Sequence, residues 1–168
     1  QADGLSDLFE RAVVVLAEDP AELVRVVARA QEQVRPGVTV EIDRVGRRAT
    51  ILLRGPTLAP PADAAAIHAQ GADFYPLKLS RELDDAILHL RLNEIEIGTL
   101  VFKSQGDPQL VMAYDALMHV NAGHWLVREI LNNWKRVLKR IDVTSRSLVT
   151  LIEPGSCFAG TLAEIAFA

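Results

Sequence analysis

Apolar positions recur along this chain with two different periods. Across residues 5–33, Leu8, Val15, Leu16, Leu23, Val26 and Val27 fall on a helical repeat, and Asp19-Pro20 supplies an N-cap and a first-turn proline between two helices. The spacing predicts a helical hairpin. Val38-Thr39-Val40-Glu41-Ile42-Asp43 alternates at period two, Val45-Gly46-Arg47-Arg48 offers a turn, and residues 49–53 form a second β-rich run, so a β-hairpin is expected. Three prolines and a glycine in residues 55–61 stop the strand in an exposed loop. Residues 63–69 then cap and form a short helix, and Phe74-Tyr75-Pro76-Leu77 reads as extended.

Ser80, Leu83, Ile87 and Leu90 predict an amphipathic helix reaching about Leu92. Residues 95–102 read as a buried strand and residues 103–108 as a turn, followed by a helix through Met112 and Leu117. A long helix over residues 123–141 is expected to bury Trp125, Leu126, Ile130, Leu131, Trp134, Val137, Leu138 and Ile141. Residues 147–152 are a short apolar run of the kind found inside parallel sheets. Strand, crossover helices and strand follow a βαβ logic, which makes the fold class α/β.

With 168 residues, nearly half of them apolar, the chain can bury a core. A net charge of −4 with both signs interspersed provides no field to gather nucleic acid or an anionic membrane, so neither partner is expected. No apolar run approaches the roughly 20 residues of a membrane helix. A single cysteine, Cys157, leans towards a reducing compartment, and a cytoplasmic location is the expectation. The chain opens at Gln1 without a methionine and reaches Ala168 with an apolar pattern still running, so a piece of a longer polypeptide is expected.

The chemistry worth weighing lies at the end, in LIEPGSCFAGTLAEIAFA. There an apolar strand enters a cluster of small residues and then a helical pattern carrying Glu164 in its first turns. Free backbone N–H groups at such a turn can hold a developing oxyanion, or the small residues can serve only to let the helix pack close to the sheet. Neither a phosphate loop nor a nucleophile elbow fits the residues around Ser156. Cys157 has no basic neighbour in sequence and reads as a buried, inert thiol. His68, His89, His119 and His124 show no metal-ligand spacing, and Asp84-Asp85 reads as a solvated helix face.

Strand, small-residue turn and helix with an early glutamate together resemble the second oxyanion loop of the crotonase (enoyl-CoA hydratase/isomerase) superfamily. Aligned on the acid, Gly160, Thr161 and Leu162 stand on that family's glycine run and Glu164 on its glutamate. Longer strings carry a narrower resemblance. Residues 145–148 and 152–161, with Tyr75-Pro76-Leu77-Lys78 and residues 81–88, are similar to the lyases of this superfamily that open an oxidised, CoA-bound benzoate ring.

The resemblance covers residues 38–168 and implies a crotonase-like fold of ββα units. Residues 1–36 would end one crotonase-like half, and residues 37–168 would form the front of a second. The implied substrate is a CoA thioester, the epoxide or dihydrodiol of benzoate, opened to an aliphatic CoA semialdehyde with release of formate. No metal or redox cofactor is implied, and a homo-oligomer is. The implied site consists of the N–H groups of Gly160 and Thr161 on the thioester oxygen, with Glu164 handling a proton. Two other readings stay open: a non-catalytic crotonase-like module that builds the oligomer through the Trp125/Trp134 helix, and another enoyl-CoA hydratase/isomerase activity.

Overall fold

A computed structural model describes residues 37–167, within the compact unit Pro36–Ala168. The helical hairpin expected over residues 5–33 lies outside the described residues. Four strands form one sheet in the order β1-β2-β3-β4: β1 is Val38–Asp43, β2 Arg48–Arg54, β3 Thr99–Gln105 and β4 Ser147–Leu151. β1 and β2 make the expected antiparallel hairpin, with Val40 opposite Ile51. β2, β3 and β4 run parallel, with Ile51 beside Phe102 and Phe102 beside Thr150. The α/β class follows from these two parallel crossovers.

Helices α1 (Ala64–Gln70), α2 (Tyr75–Asn93), α3 (Pro108–Val120) and α4 (Trp125–Asp142) fill the connections. Alternation places Ala49, Ile51, Leu53, Leu100 and Phe102 in the core, while the residues between them stay partly open. Leu79, Leu83, Ile87 and Leu90 of α2, and Val127, Ile130, Trp134, Val137 and Ile141 of α4, meet this core at helical spacing. The two helices are joined by polar links that the hydrophobic pattern does not reveal. Trp134 Nε1 donates to the Pro76 carbonyl at 3.0 Å, Asn133 Nδ2 donates to Ser80 Oγ at 2.8 Å, and Arg140 pairs with Asp84. Asp84 is therefore half-buried against α4 rather than a member of a solvated face.

Several expected boundaries move. Tyr75-Pro76-Leu77 is the first turn of α2 rather than an extended segment, because proline is tolerated where no helical N–H bond is needed and Phe74 is buried at the N-cap. β3 begins at Thr99 and continues through Gln105, so Lys103-Ser104-Gln105 is strand and not turn. Ile95 is 75% exposed, since the chain turns at Glu94, where the Ile97 N–H returns to the Glu94 carbonyl at 3.1 Å. Trp125 is 55% exposed, because the first residue of α4 lies beyond the stripe that begins at Val127. β4 pairs in parallel as expected, but among the described residues it is the last strand of the sheet, and Val149 and Leu151 are exposed rather than interior. The final helical pattern forms a 3₁₀ helix, Gly160–Ala166.

The Ser145-Arg146-Ser147 string acquires a structural explanation. Ser145 adopts φ +58°, and Arg146 turns back to bond the carbonyls of Ile97 (2.7 Å), Leu90 (2.8 Å) and Glu94 (3.1 Å). One guanidinium thus satisfies the open carbonyl end of α2 and fixes where β4 begins.

Candidate functional site

Parallel pairing brings the carboxyl ends of β2, β3 and β4 to one edge of the sheet, the usual place for ligand sites in α/β folds. Here the three loops leaving that edge are laced together. The Gly55 N–H donates to the Gln105 carbonyl at 2.9 Å, and the Gly106 N–H donates to the Gly155 carbonyl at 3.1 Å. Gly106 has φ +151°, and a Cβ there would come within 2.9 Å of the Gly55 Cα, so both its conformation and its neighbour require glycine. The Glu153-Pro154-Gly155-Ser156 segment is a β-turn with proline second and glycine third, closed by the Ser156 N–H on the Glu153 carbonyl at 2.9 Å. Cys157 is buried beneath Gly55, its N–H donating to Ser104 Oγ at 2.9 Å. Burial pushes its thiol above the ordinary cysteine range, which matches the inert thiol expected.

The turn at Gly160-Thr161 faces a carboxylate. Asp115, half-buried on α3, accepts the Thr161 N–H at 2.6 Å on Oδ2 and the Thr161 hydroxyl at 2.9 Å on Oδ1. Gly160 has φ +49°, and a Cβ at that position would overlap Asp115 Oδ2. Tyr75 and Tyr114 stand beside this clamp with ring centroids 5.2 Å apart, and the Tyr75 hydroxyl donates to the Arg54 carbonyl at 3.1 Å. The space left among Tyr75, Tyr114, Asp115, Thr161 and Leu162 is ≈ 10 Å³, about enough for one water.

Burial above all, with Cys157, Tyr114 and Asp115 adding to it, pushes the Tyr75 phenol well above the ordinary tyrosine range. A phenol held neutral by the fold favours the native state until the unfolded chain's phenol ionises near about pH 10, and that contribution is then lost as pH rises. Tyr75→Phe is therefore expected to flatten the alkaline decline of stability, as read from urea midpoints on either side of about pH 10.

Glu164 does not join this cluster. It is exposed and lines a shallow groove with Lys135, Leu138, Lys139, Asp142 and Phe167. The structure thus brings Gly160 and Thr161 to Asp115 and leaves Glu164 in a separate groove. Sequence reasoning missed Asp115. Its signal was an acid placed mid-helix in QLVMAYDALMHV, where aspartate is a poor helix former and every close neighbour is apolar or neutral. Among the described residues, no His, Cys, Asp or Glu side chains are grouped so as to hold a metal ion.

No protein-family model matches the chain. A curated protein, the benzoyl-CoA-dihydrodiol lyase of Aromatoleum evansii, is 50% identical to it over 131 residues. The chain is homologous to part of that lyase. The match covers 78% of this chain but 24% of the relative, so the chain spans about a quarter of the length of the lyase it matches.

Proposed function

We propose that the chain is a segment of a crotonase-superfamily lyase that opens the ring of a CoA-bound dihydrodiol or epoxide of benzoate, giving an aliphatic CoA semialdehyde and formate. Within that enzyme the segment serves as scaffold, and the thioester oxygen is polarised elsewhere in the polypeptide. The 50% identity to a benzoyl-CoA-dihydrodiol lyase supports the first statement. A β-hairpin followed by a helix on the sheet is compatible with a crotonase-like ββα unit. A cytoplasmic homo-oligomer belongs to the same reading.

The observation that carries the scaffold role is the Asp115 carboxylate on Thr161. A charged acceptor holding two donors is bound more strongly than the neutral oxygen of a thioester, which therefore does not displace it. The cavity beside the clamp is also far smaller than a benzoyl group. The second reading, in which the Gly160 and Thr161 N–H groups polarise the thioester and Glu164 moves a proton, is favoured by the exposure of Glu164 to solvent.

Glu164→Gln in the full-length enzyme separates the two. The scaffold role predicts turnover within about twofold of the parent. Loss of a general acid or base instead costs roughly 10²–10⁴-fold and would establish the second reading.

A further inference from the structure

α4 begins with a tryptophan that its hydrophobic stripe does not use. Trp125 is 55% exposed, whereas Trp134, on the same helix, is 3% exposed. Two imidazoles lie near the Trp125 ring. His68 of α1 meets it at 6.0 Å with an interplanar angle of 67°, and His124 lies 6.0 Å away, tilted by 32°. One helical turn on, Arg128 is exposed, and among the described residues its guanidinium makes no ion pair or side-chain hydrogen bond. Positions i and i+3 share a helix face, so Trp125 and Arg128 are neighbours at the surface; Glu129, at i+4, is the acid on that face. The Nδ1 atom of His124 is buried without a partner, so this ring has hydrogen-bonding capacity that the fold leaves unused.

Leaving a large indole in water forgoes its burial, and contact with two imidazoles restricts the rotamer freedom that an exposed side chain would otherwise keep. A flat, pre-ordered π surface with an unpaired guanidinium beside it suits a planar base that carries phosphate. We propose that Trp125, flanked by His68 and His124 and followed by Arg128, is a stacking platform for the purine end of a CoA-type nucleotide. This inference rests on the reading of the substrate as a CoA thioester and adds to the scaffold a role in holding the far end of that molecule.

The full-length enzyme is titrated with CoA, with adenosine diphosphate and with pantetheine, using tryptophan emission and calorimetry. Saturable quenching by CoA and by adenosine diphosphate, with none by pantetheine, is expected. In calorimetry Trp125→Ala should weaken CoA binding roughly tenfold, and Trp125→Phe should recover part of the loss because phenylalanine also stacks. Circular dichroism confirms that both variants keep the fold. No saturable quenching, equal quenching by pantetheine, or an affinity that Trp125→Ala leaves unchanged would each overturn the proposal. Turnover of a CoA thioester by the full-length enzyme tests the substrate reading by itself: turnover that persists while Trp125→Ala leaves CoA affinity unchanged overturns the platform alone, and absence of turnover with every benzoyl-CoA derivative overturns the substrate reading.

Discussion

Trp134→Ala should cost about 3–5 kcal/mol of stability, the ordinary range for deleting a large aromatic from a packed core. The residue is 3% exposed at the crossing of α2 and α4, and its Nε1–H ties α4 to the Pro76 carbonyl in the first turn of α2. Removing it opens a cavity beside Leu79 and Met118 and leaves the Pro76 carbonyl without its donor. Trp134→Phe keeps a six-membered ring but loses the hydrogen bond and the volume of the pyrrole ring, so a smaller loss, about 1–3 kcal/mol, is expected there. Urea denaturation checks both: the midpoint should fall in that order with an unchanged slope. Equal losses in the two variants would mean that the hydrogen bond, and not the packing, fixes the two helices.

Gly160→Ala should be the more disruptive of the two possible changes at the clamp. The substitution meets a backbone at φ +49° and drives a methyl group into Asp115 Oδ2, so the carboxylate has to leave Thr161. The combined loss of a charged hydrogen bond and a strained backbone is expected to reach about 2–4 kcal/mol. Asp115→Ala removes the same bonds without strain and should cost less, about 1–3 kcal/mol. In the double variant the two losses should not add, because one removes what the other would have broken. Full additivity, measured by denaturant midpoints of the four proteins, would show that Gly160 is required for a reason other than the approach of Asp115.

The elements that were legible from sequence are those in which one physical signal acts alone. The β1–β2 hairpin follows from alternation on either side of a Gly-containing turn, and the stripe from Ile130 to Ile141 follows from helical spacing on one face. Boundaries moved where tertiary contacts overruled local pattern. Pro76 reads as a helix breaker but occupies a first turn, and Lys103 reads as a loop residue but pairs in register with Leu52 and Leu151. Trp125 counts as apolar in any periodicity, yet it lies past the end of the buried stripe.

Among the small residues near the C-terminal end, Gly160 and Cys157 stand at points of close approach, whereas Gly155 faces open space. What they approach lies in other parts of the chain and no local pattern contains it: Gly55 and Gly106 above Cys157, and Asp115 against Gly160. A carboxylate that arrives from 45 residues upstream leaves only an indirect trace in sequence, as an aspartate inside an otherwise apolar helix; the clamp spans |i−j| = 46 from Thr161 and one less from Gly160. Glu164 shows the converse. Its spacing after the turn placed it near Thr161 in sequence, but the 3₁₀ helix carries its side chain to the α4 groove instead.

Asp115 closes the Gly160-Thr161 turn, and in the scaffold role proposed above it takes no part in the chemistry of the full-length enzyme. The most direct test is the turnover of the full-length enzyme carrying Asp115→Asn, a variant that keeps an acceptor for the Thr161 N–H and removes the charge. The scaffold account predicts a rate per folded enzyme within about twofold of the parent, with a modest loss of stability. A fall of roughly 10²–10⁴-fold in a protein of unchanged fold, the magnitude of losing a general acid or base, would show that the carboxylate takes part in the reaction and would contradict it.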